Sequence, residues 1–251
     1  MTVTRVAASA TAEFDLTTHW KARERGRDGW KDTPALTREL SDCFTGTVRR
    51  AVEEVGDALD RDAAEIVTAT WYGTSHVAEV MHEQLHEAGP KWLNPEQFLY
   101  YSPHSVVSAA ALALGIGGAG STLLGPDSEF QALKHAVRRL ASGRVPAVVV
   151  AEYEALTPFA ALGHFDGPGL PYDGGLPTGR VTALVLMADG RGPEVRVHRG
   201  VADAAARRPA ERHGAVNLPP GPGLLRALAG ARAPAVVLAE EADRHAPAVR
   251  A

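Results

Sequence analysis

An apolar segment, a sharp turn and an amphipathic segment follow one another in the middle of the chain, an arrangement that suits a catalytic nucleophile. STLLG (121–125) predicts a strand, Pro126 and Asp127 predict a turn, and the hydrophobic period predicts a helix over 128–142. The start of a helix carries a partial positive charge and unpaired N–H groups, which lower the pKa of a thiol and stabilise an oxyanion. The turn is therefore the first candidate site for acyl-transfer chemistry.

A second candidate is the HExxH motif formed by His82, Glu83 and His86 on a helix predicted over 75–88. In zinc peptidases the two histidines of this motif lie one helical turn apart and bind zinc, while the glutamate activates water. Trp92 stands where a third histidine would complete a metzincin site. The apolar stripe of this helix is expected at Val77, Met81, Leu85 and Ala88. That stripe places the histidines at a solvated edge, and a zinc peptidase stays open as an alternative function.

The glycine-rich run 115–120 reads GxGxxG, the pattern of a dinucleotide-binding turn. Such a site needs a strand before the glycines and a helix after them. Here a predicted helix precedes the run and a predicted strand follows it. The glycines are therefore expected to allow a tight connection, and no cofactor is predicted.

Composition excludes several classes of protein. The 251 residues include 26 Lys and Arg against 30 Asp and Glu, 10 His and one Cys, with a net charge of -4. One Cys excludes a disulfide scaffold and a Cys-rich zinc module and is typical of a reducing cytoplasm. The balanced charge gives no reason to expect a nucleic-acid partner. No signal-peptide core is present at the start, and prolines and glycines interrupt the uncharged stretch 97–126, so we predict a cytoplasmic protein without a membrane span.

Predicted helices and strands alternate, which indicates an α/β fold with a mixed sheet. Helices are predicted at 37–59, 75–88, 103–114, 128–142 and 224–229, and strands at 64–71, 121–124, 145–151, 181–187, 194–198 and 235–239. The uncharged helix 103–114 is expected to be buried on all sides. Asp189 and Gly190 predict a hairpin between two of the strands. We predict a single domain over 1–251, with surface loops at 163–179 and 199–223.

Several segments, in the right order, resemble the N-terminal half of a β-ketoacyl synthase of the thiolase superfamily. They are NPEQF (94–98), SPHSVVSAAALALGIGGAG (102–120), STLLG (121–125), ALKHAVRRLASGR (132–144) and AVVVAEYEAL (147–156). ATWYGTSH (69–76) resembles an earlier strand and glycine turn of that family, and 173–187 resembles its closing loop and strand. The resemblance implies an α/β thiolase-like fold, N-terminal half only, with a layered mixed sheet and buried helices.

The resemblance also implies that this chain is not itself a condensing enzyme. Aligned on ALKHA, the family's acyl-accepting cysteine corresponds to Pro126, and proline has no nucleophile. The one thiol, Cys43, lies in an early amphipathic helix and is expected to be a core residue. The family's HGTGT-like and GFGGHN-like motifs, which carry two catalytic histidines, do not occur in the sequence.

A short, cysteine-less relative of this kind resembles the chain-length factors of type II polyketide systems, those of aryl polyene biosynthesis in particular. Such factors form heterodimers with a catalytic β-ketoacyl synthase, which would supply the thiol and both histidines, and they receive substrates from an acyl carrier protein. Factors of aromatic polyketide systems usually carry Gln at the turn, so Pro126 departs from their pattern. No metal is expected in this interpretation.

In the family, the helix matching 100–114 lines the tunnel for the growing chain. The side chains at roughly helical spacing that become tunnel or interface candidates are Tyr101, His104, Ser105, Ser108 and Leu112. Each of them is also explained as an ordinary packing residue, His104 as a hydrogen-bonded core histidine. Bulky groups at the end of such a tunnel would stop elongation by steric clash.

Two further expectations concern partners. Arg138, Arg139 and Arg144 form a basic face that could help an acidic carrier protein dock, although a solvated helix face explains them equally well. Because an uncharged helix would contact the synthase, the chain alone is expected to be poorly soluble or to self-associate. A third possible function, besides the peptidase, is a stand-alone acyl-binding or scaffold protein.

Overall fold

Helices and strands alternate along the chain in the computed structural model, which describes residues 3–17, 33–157, 178–188, 192–199, 216–218, 223–232 and 235–239. The strands are β1 Arg5–Asp15, β2 Glu65–Thr70, β3 Gly120–Leu124, β4 Ala147–Glu154, β5 Thr178–Met187, β6 Val195–Arg199, β7 Val216–Leu218 and β8 Ala235–Ala239. The helices are α1 Thr33–Val55, α2 Ser75–Ala88, α3 Gln97–Tyr101, α4 His104–Leu114, α5 Ser128–Ala141 and α6 Leu224–Ala229. No helix in these ranges is long and apolar enough to cross a membrane.

The main sheet has five strands in the order β1-β5-β4-β2-β3. Strand β2 runs parallel to both of its neighbours, β3 and β4, whereas β5 runs antiparallel to β4 and β1. The carboxyl ends of β2, β3 and β4 therefore meet at one edge of the sheet, and the beginning of β5 lies at that same edge. Edges of this kind are where α/β proteins place their sites.

Side chains alternate along the central strand β4 and enter two separate cores, because successive residues of a strand point to opposite faces. Val149, Ala151 and Tyr153 pack in one core with α1 and α4. Val148 and Val150 pack in the other core with α5 and α6. This valine-rich run is thus covered on both faces, and the result is a three-layer arrangement with the sheet in the middle.

The predicted hairpin between the strands at 181–187 and 194–198 is wrong. Strand β5 pairs with β1 and β4, while β6 pairs in parallel with β8 in a separate three-stranded sheet of order β6-β8-β7. Asp189 and Gly190 themselves lie outside the described residues. The partner that β5 takes instead, β1, comes from the other end of the chain, so a turn motif between neighbouring segments could not reveal it.

The predicted loops and the predicted environment of α4 also need correction. Val216–Leu218 forms β7 within the predicted loop 199–223, and β5 begins at Thr178, inside the predicted loop 163–179. Positions 163–177 lie outside the described residues. Helix α4 is buried on one face only, because Leu112 keeps 85% of its surface exposed. An uncharged helix therefore presents apolar side chains to solvent.

The apolar stripe predicted along α2 is correct only in its first half. Val77 is buried, but Leu85 is 44% exposed and Ala88 is exposed. The buried residues of this helix are His76, Val77, Glu79 and Val80. The helix thus leaves the core after its second turn, and Leu85, His86 and Ala88 in its carboxyl half are exposed.

Candidate functional site

The turn between β3 and α5 lies at the carboxyl edge of the main sheet. The Gly125 N–H donates to the Thr70 carbonyl at 3.1 Å, and the Ser128 N–H donates to the Gly125 carbonyl at 3.0 Å. Pro126 is exposed between them, and α5 begins at Ser128 with Asp127 as its N-cap residue. The backbone therefore forms the strand–turn–helix that the sequence predicts, with an imino acid at its tip.

Three segments converge beside this turn, and Gly73 allows their close approach. Gly73 adopts a left-handed conformation with φ +59°, and a Cβ there would lie 2.7 Å from Pro103 Cγ and 3.2 Å from Leu124 Cδ2. The Tyr153 hydroxyl donates to the Pro103 carbonyl at 2.9 Å. The β2–α2 turn, the start of α4 and the end of β3 thus form one packed unit next to Pro126.

The five tunnel candidates lie together on the unburied side of the α3–α4 region. None of them is buried, whereas the opposite face of α4 packs in the core. The core face consists of Val106, Val107, Ala110 and Leu114. His104 Nδ1 lies 2.9 Å from the Thr122 hydroxyl, so this imidazole joins α4 to β3. Ser105 Oγ is shielded from solvent and has no hydrogen-bond partner among the described residues. Whether these side chains line a tunnel stays a prediction.

Large exposed apolar side chains are concentrated between the end of α2 and the end of β3. They lie on elements that contact one another in the fold, and we refer to them together as the apolar face: Leu85, Trp92, Phe98, Leu99, Tyr100, Tyr101, Leu112 and Leu124. Among the described strands, β3 is the last one of the sheet and pairs only with β2. The sequence from 97 to 126 contains no Asp, Glu, Lys or Arg. A concentration of exposed apolar side chains with an open strand edge is typical of a protein–protein interface.

Sequence reasoning found only Tyr101 and Leu112 among the members of the apolar face. Trp92 is 72% exposed and Leu99 is 69% exposed, and both precede the segment 100–114 that carries the tunnel candidates. The long uncharged stretch 97–126 is the signal that could have found Leu99, whereas Trp92 lies outside it. When the fold itself leaves an uncharged, apolar stretch exposed, another protein is expected to cover it.

A buried carboxylate, Glu129, connects the start of α5 to α6. Its oxygens accept hydrogen bonds from the backbone N–H groups of Gly223 at 2.7 Å and Leu225 at 2.8 Å. Burial, followed by the charge of Glu152, raises the pKa of Glu129 to about 8. The side chain therefore caps α6 and holds a proton at neutral pH.

Glu152 on β4 faces the same cluster from the sheet. Its Oε1 accepts a hydrogen bond from the Thr182 hydroxyl at 2.8 Å and lies 3.5 Å from Arg180 Nε. Arg180 also approaches Glu129, with 4.0 Å between Nη2 and Oε1. One guanidinium thus serves two carboxyl groups, and the proton that Glu129 keeps limits the repulsion between them. Sequence reasoning did not single out any of these residues.

A third carboxylate stabilises the turn that follows β2. Glu154 accepts hydrogen bonds from the backbone N–H groups of Trp71 and Tyr72, the latter at 3.4 Å. Burial raises the pKa of Glu154 to about 8, although the bond from Trp71 opposes this shift. The Trp71 and Tyr72 rings stack with centroids 5.5 Å apart at the same edge.

The part of the chain that the structure describes does not assemble a zinc peptidase site. His82 and His86 are exposed on α2, which confirms that they lie at a solvated edge. Their Nε2 atoms are 3.1 Å apart. Trp92 is exposed at the third position. Among the described residues, no group of three or more His, Cys, Asp or Glu side chains could hold a metal ion. The peptidase alternative therefore lacks a third protein ligand within this part of the chain.

The only cysteine, Cys43, lies on the opposite side of the sheet from the helix that follows the turn. It packs against the core on the α1 side of the sheet, whereas α5 packs against the opposite side. Burial raises the pKa of the Cys43 thiol. A thiol on the wrong side of the sheet and poorly ionised cannot replace a nucleophile at Pro126.

The remaining motifs have structural roles. Gly118 approaches the backbone so closely that a Cβ there would lie 2.3 Å from the Ala64 carbonyl oxygen, as a tight connection requires. On the basic face, Arg139 Nε donates to Glu65 at 2.8 Å and is therefore already paired. Arg138 and Arg144 are exposed.

Comparison with known proteins identifies the fold. No protein-family model and no curated protein sequence matches the chain. Among solved structures, the ishigamide ketosynthase/chain length factor superposes with a TM-score of 0.57 at 15% identity, covering 92% of this chain and 82% of that one. The oxazolomycin ketosynthase domain OzmH KS7 of Streptomyces albus JA3453 superposes at 0.54 and 15% identity, covering 85% of this chain and 44% of that one.

A third similar structure is AntDE:AntF, a type II polyketide synthase acyl-carrier protein in complex with its ketosynthase bound to the hexaketide. It superposes with a TM-score of 0.53 at 13% identity, covering 74% of this chain and 58% of that one. At sequence identities this low, the superpositions establish the fold only. The chemistry has to be argued from the residues of the site. This chain has the layered α/β, thiolase-like fold of the ketosynthases and of the ketosynthase/chain length factor structures.

Proposed function

We propose that this chain is a non-catalytic, chain-length-factor-like subunit that pairs with a β-ketoacyl-ACP synthase and shapes the tunnel for polyketide or polyene elongation. The observation that carries the proposal is the proline at the tip of the strand–turn–helix. By the alignment on ALKHA, Pro126 would stand where the family carries its nucleophile, and the turn around it is well formed. A chain that has the fold but lacks the nucleophile is expected to assist the active site of a second, catalytic subunit.

The chemistry requires a partner. Claisen condensation needs a thiolate to carry the acyl chain, together with groups that polarise the thioester. The one thiol of this chain lies on the other side of the sheet from α5. A catalytic ketosynthase subunit would supply the thiol and the histidines, and an acyl carrier protein would deliver the substrate.

The apolar face supplies the surface for that partner. It combines exposed aromatic and leucine side chains with the unpaired edge of β3, directly beside the turn that carries Pro126. Apolar surface of this kind is buried in stable heterodimers, where the interface resembles a divided protein core. Two of the solved structures with this fold, by their names, contain a ketosynthase together with a chain length factor or a carrier protein.

The positions of the five candidate residues in the α3–α4 region support a role in lining the tunnel for the growing chain. Tyr101, His104, Ser105, Ser108 and Leu112 lie on the side of the α3–α4 region that the core leaves uncovered. A partner docked on the apolar face would enclose these side chains between the two subunits. Their bulk would then set the length at which a stiff, apolar chain stops growing.

The test is co-expression with a candidate ketosynthase, followed by condensation assays with malonyl-loaded carrier protein, with and without this chain. We expect the two chains to co-purify and the pair to make longer products than the ketosynthase alone. Pro126→Ala should leave the rate of the pair within about twofold, because position 126 performs no chemistry.

Two results would contradict the proposal. One is a ketosynthase that makes the same products at the same rate when this chain is omitted. The other is a stable monomer of this chain that neither self-associates nor captures a ketosynthase. If that monomer binds acyl chains by itself, the stand-alone acyl-binding function is supported instead.

A further inference from the structure

His82 and His86, in the carboxyl half of α2, lie close enough together to bind one metal ion without forming a peptidase site. His82 and His86 are exposed and one helical turn apart, with ring centroids 4.3 Å apart. Their Nε2 atoms lie 3.1 Å from each other. Side chains four residues apart on a helix are neighbours, so the helix itself holds both rings on one side.

The separation of the two nitrogens falls within the range expected for two neighbouring ligands on one metal ion. Imidazole nitrogen binds first-row metals at about 2.0–2.1 Å, so two nitrogens at a right angle lie about 3.0 Å apart. A tetrahedral angle would separate them by about 3.4 Å. The observed spacing is therefore closer to the square-planar or octahedral geometry that Cu²⁺ and Ni²⁺ adopt.

We propose that His82 and His86 form a two-ligand surface site for a divalent transition-metal ion, with Cu²⁺ and Ni²⁺ preferred over Zn²⁺. Water completes the coordination, since the described residues offer no third protein ligand. The site is a binding site without hydrolytic activity. It does not depend on the proposed pairing with a ketosynthase.

Binding should also stabilise the folded chain. The metal bridges two successive turns of α2 and binds the helical conformation in preference to the unfolded chain, so the free energy of unfolding rises with metal concentration. The effect is largest for the ion that binds most tightly, and Cu²⁺ leads the order of affinities for nitrogen sites.

The experiment titrates untagged, metal-free protein with NiCl₂, CuCl₂ and ZnCl₂ by calorimetry in a non-chelating buffer. We expect one Ni²⁺ or Cu²⁺ ion per chain at this site and weaker Zn²⁺ binding. His82→Ala and His86→Ala should each weaken binding at least tenfold. His135→Ala, at an exposed histidine on α5, serves as the matched control and should leave the affinity unchanged.

A swap of neighbouring residues keeps composition and charge constant while destroying the spacing. The double variant His86→Glu, Glu87→His places the histidines five residues apart, and both changed positions are exposed. We expect it to fold normally, to lose tight Ni²⁺ binding and to lose the rise in melting temperature that Ni²⁺ gives the parent protein. If the swap variant binds Ni²⁺ within threefold of the parent, or if the parent binds no Ni²⁺ at millimolar concentration, the proposal is wrong.

Discussion

The imidazole Nδ1 of His104 lies 2.9 Å from the hydroxyl of Thr122. His104 begins α4 and Thr122 is the middle residue of β3, so this contact joins the two elements that carry Leu112 and Leu124 on the apolar face. This part-buried polar contact helps to fix the orientation of the helix relative to the strand. Its loss should affect both stability and pairing.

Replacing Thr122 by Val removes the hydroxyl while nearly keeping the shape of the side chain. A hydrogen bond of this kind contributes about 0.5–1.5 kcal/mol, so we expect the free energy of unfolding to fall by about 1 kcal/mol in urea denaturation. Thr122→Ser keeps the hydroxyl and is the control. A Val variant as stable as the Ser variant would show that the contact contributes nothing.

Leu112 and Leu114 lie on the same helix and differ in exposure, which makes them a matched pair. Leu112 is exposed and Leu114 is buried, with 5% of its surface accessible. Leu114→Ala should cost about 2–5 kcal/mol of stability, whereas Leu112→Ala should change it by less than about 0.5 kcal/mol.

Substitutions at Leu112 also test whether the apolar face binds the ketosynthase. Leu112→Glu should leave the free energy of unfolding nearly unchanged but weaken ketosynthase binding at least tenfold, because a charge would be buried in the contact. Binding is measured by surface plasmon resonance, with Leu112→Met as the control. Unchanged binding by the Glu variant would exclude Leu112 from the interface.

Gly73 and Gly56 separate backbone strain from steric contact. Both have positive φ, +59° and +63°, but only Gly73 has neighbours within 4 Å of an added Cβ. Gly56→Ala should cost about 1–2 kcal/mol from the left-handed conformation alone. Gly73→Ala should cost more, because Pro103 must also move. Equal melting temperatures for the two variants would contradict the packed junction beside Pro126.

Stability should decrease as the pH rises from about 5 to 8. The folded-state pKa of Glu129 is raised from its ordinary value of 4.5 to about 8, and that of Glu154 is raised similarly. Between these values the folded chain keeps a proton that the unfolded chain has released. The stabilisation is therefore complete below about pH 4.5 and is lost as pH rises toward 8, by at most about 1.4 kcal/mol per pH unit for each group.

Glu129→Gln tests the contribution of the α6 cap. The amide cannot ionise, so the variant should lose less stability than the parent between pH 5 and pH 8 in urea denaturation. Glu13→Gln, at an exposed carboxylate on β1, is the control and should keep the parent's pH dependence. A Glu129→Gln variant with the same slope as the parent would assign the pH dependence to other groups.

Local pattern predicted most elements because helices and strands bury side chains at different periods. The helices at 75–88 and 224–229 and the strand at 235–239 occur where the pattern places them, and the valine run of β4 is covered on both faces. Pattern also placed Pro126 on a turn between strand and helix. These features depend on residues close together in the sequence, so the sequence alone determined them.

Tertiary structure decided what distant segments do to one another. The pairing of β1 with β5 and the meeting of Glu129, Glu152 and Arg180 join parts of the chain that no local period relates. The exposure of one face of α4 could likewise not be predicted from the sequence. An uncharged helix has the same composition whether its own fold or another protein covers it. Burial depends on which surfaces pack together, and only the folded chain shows which surface is left uncovered.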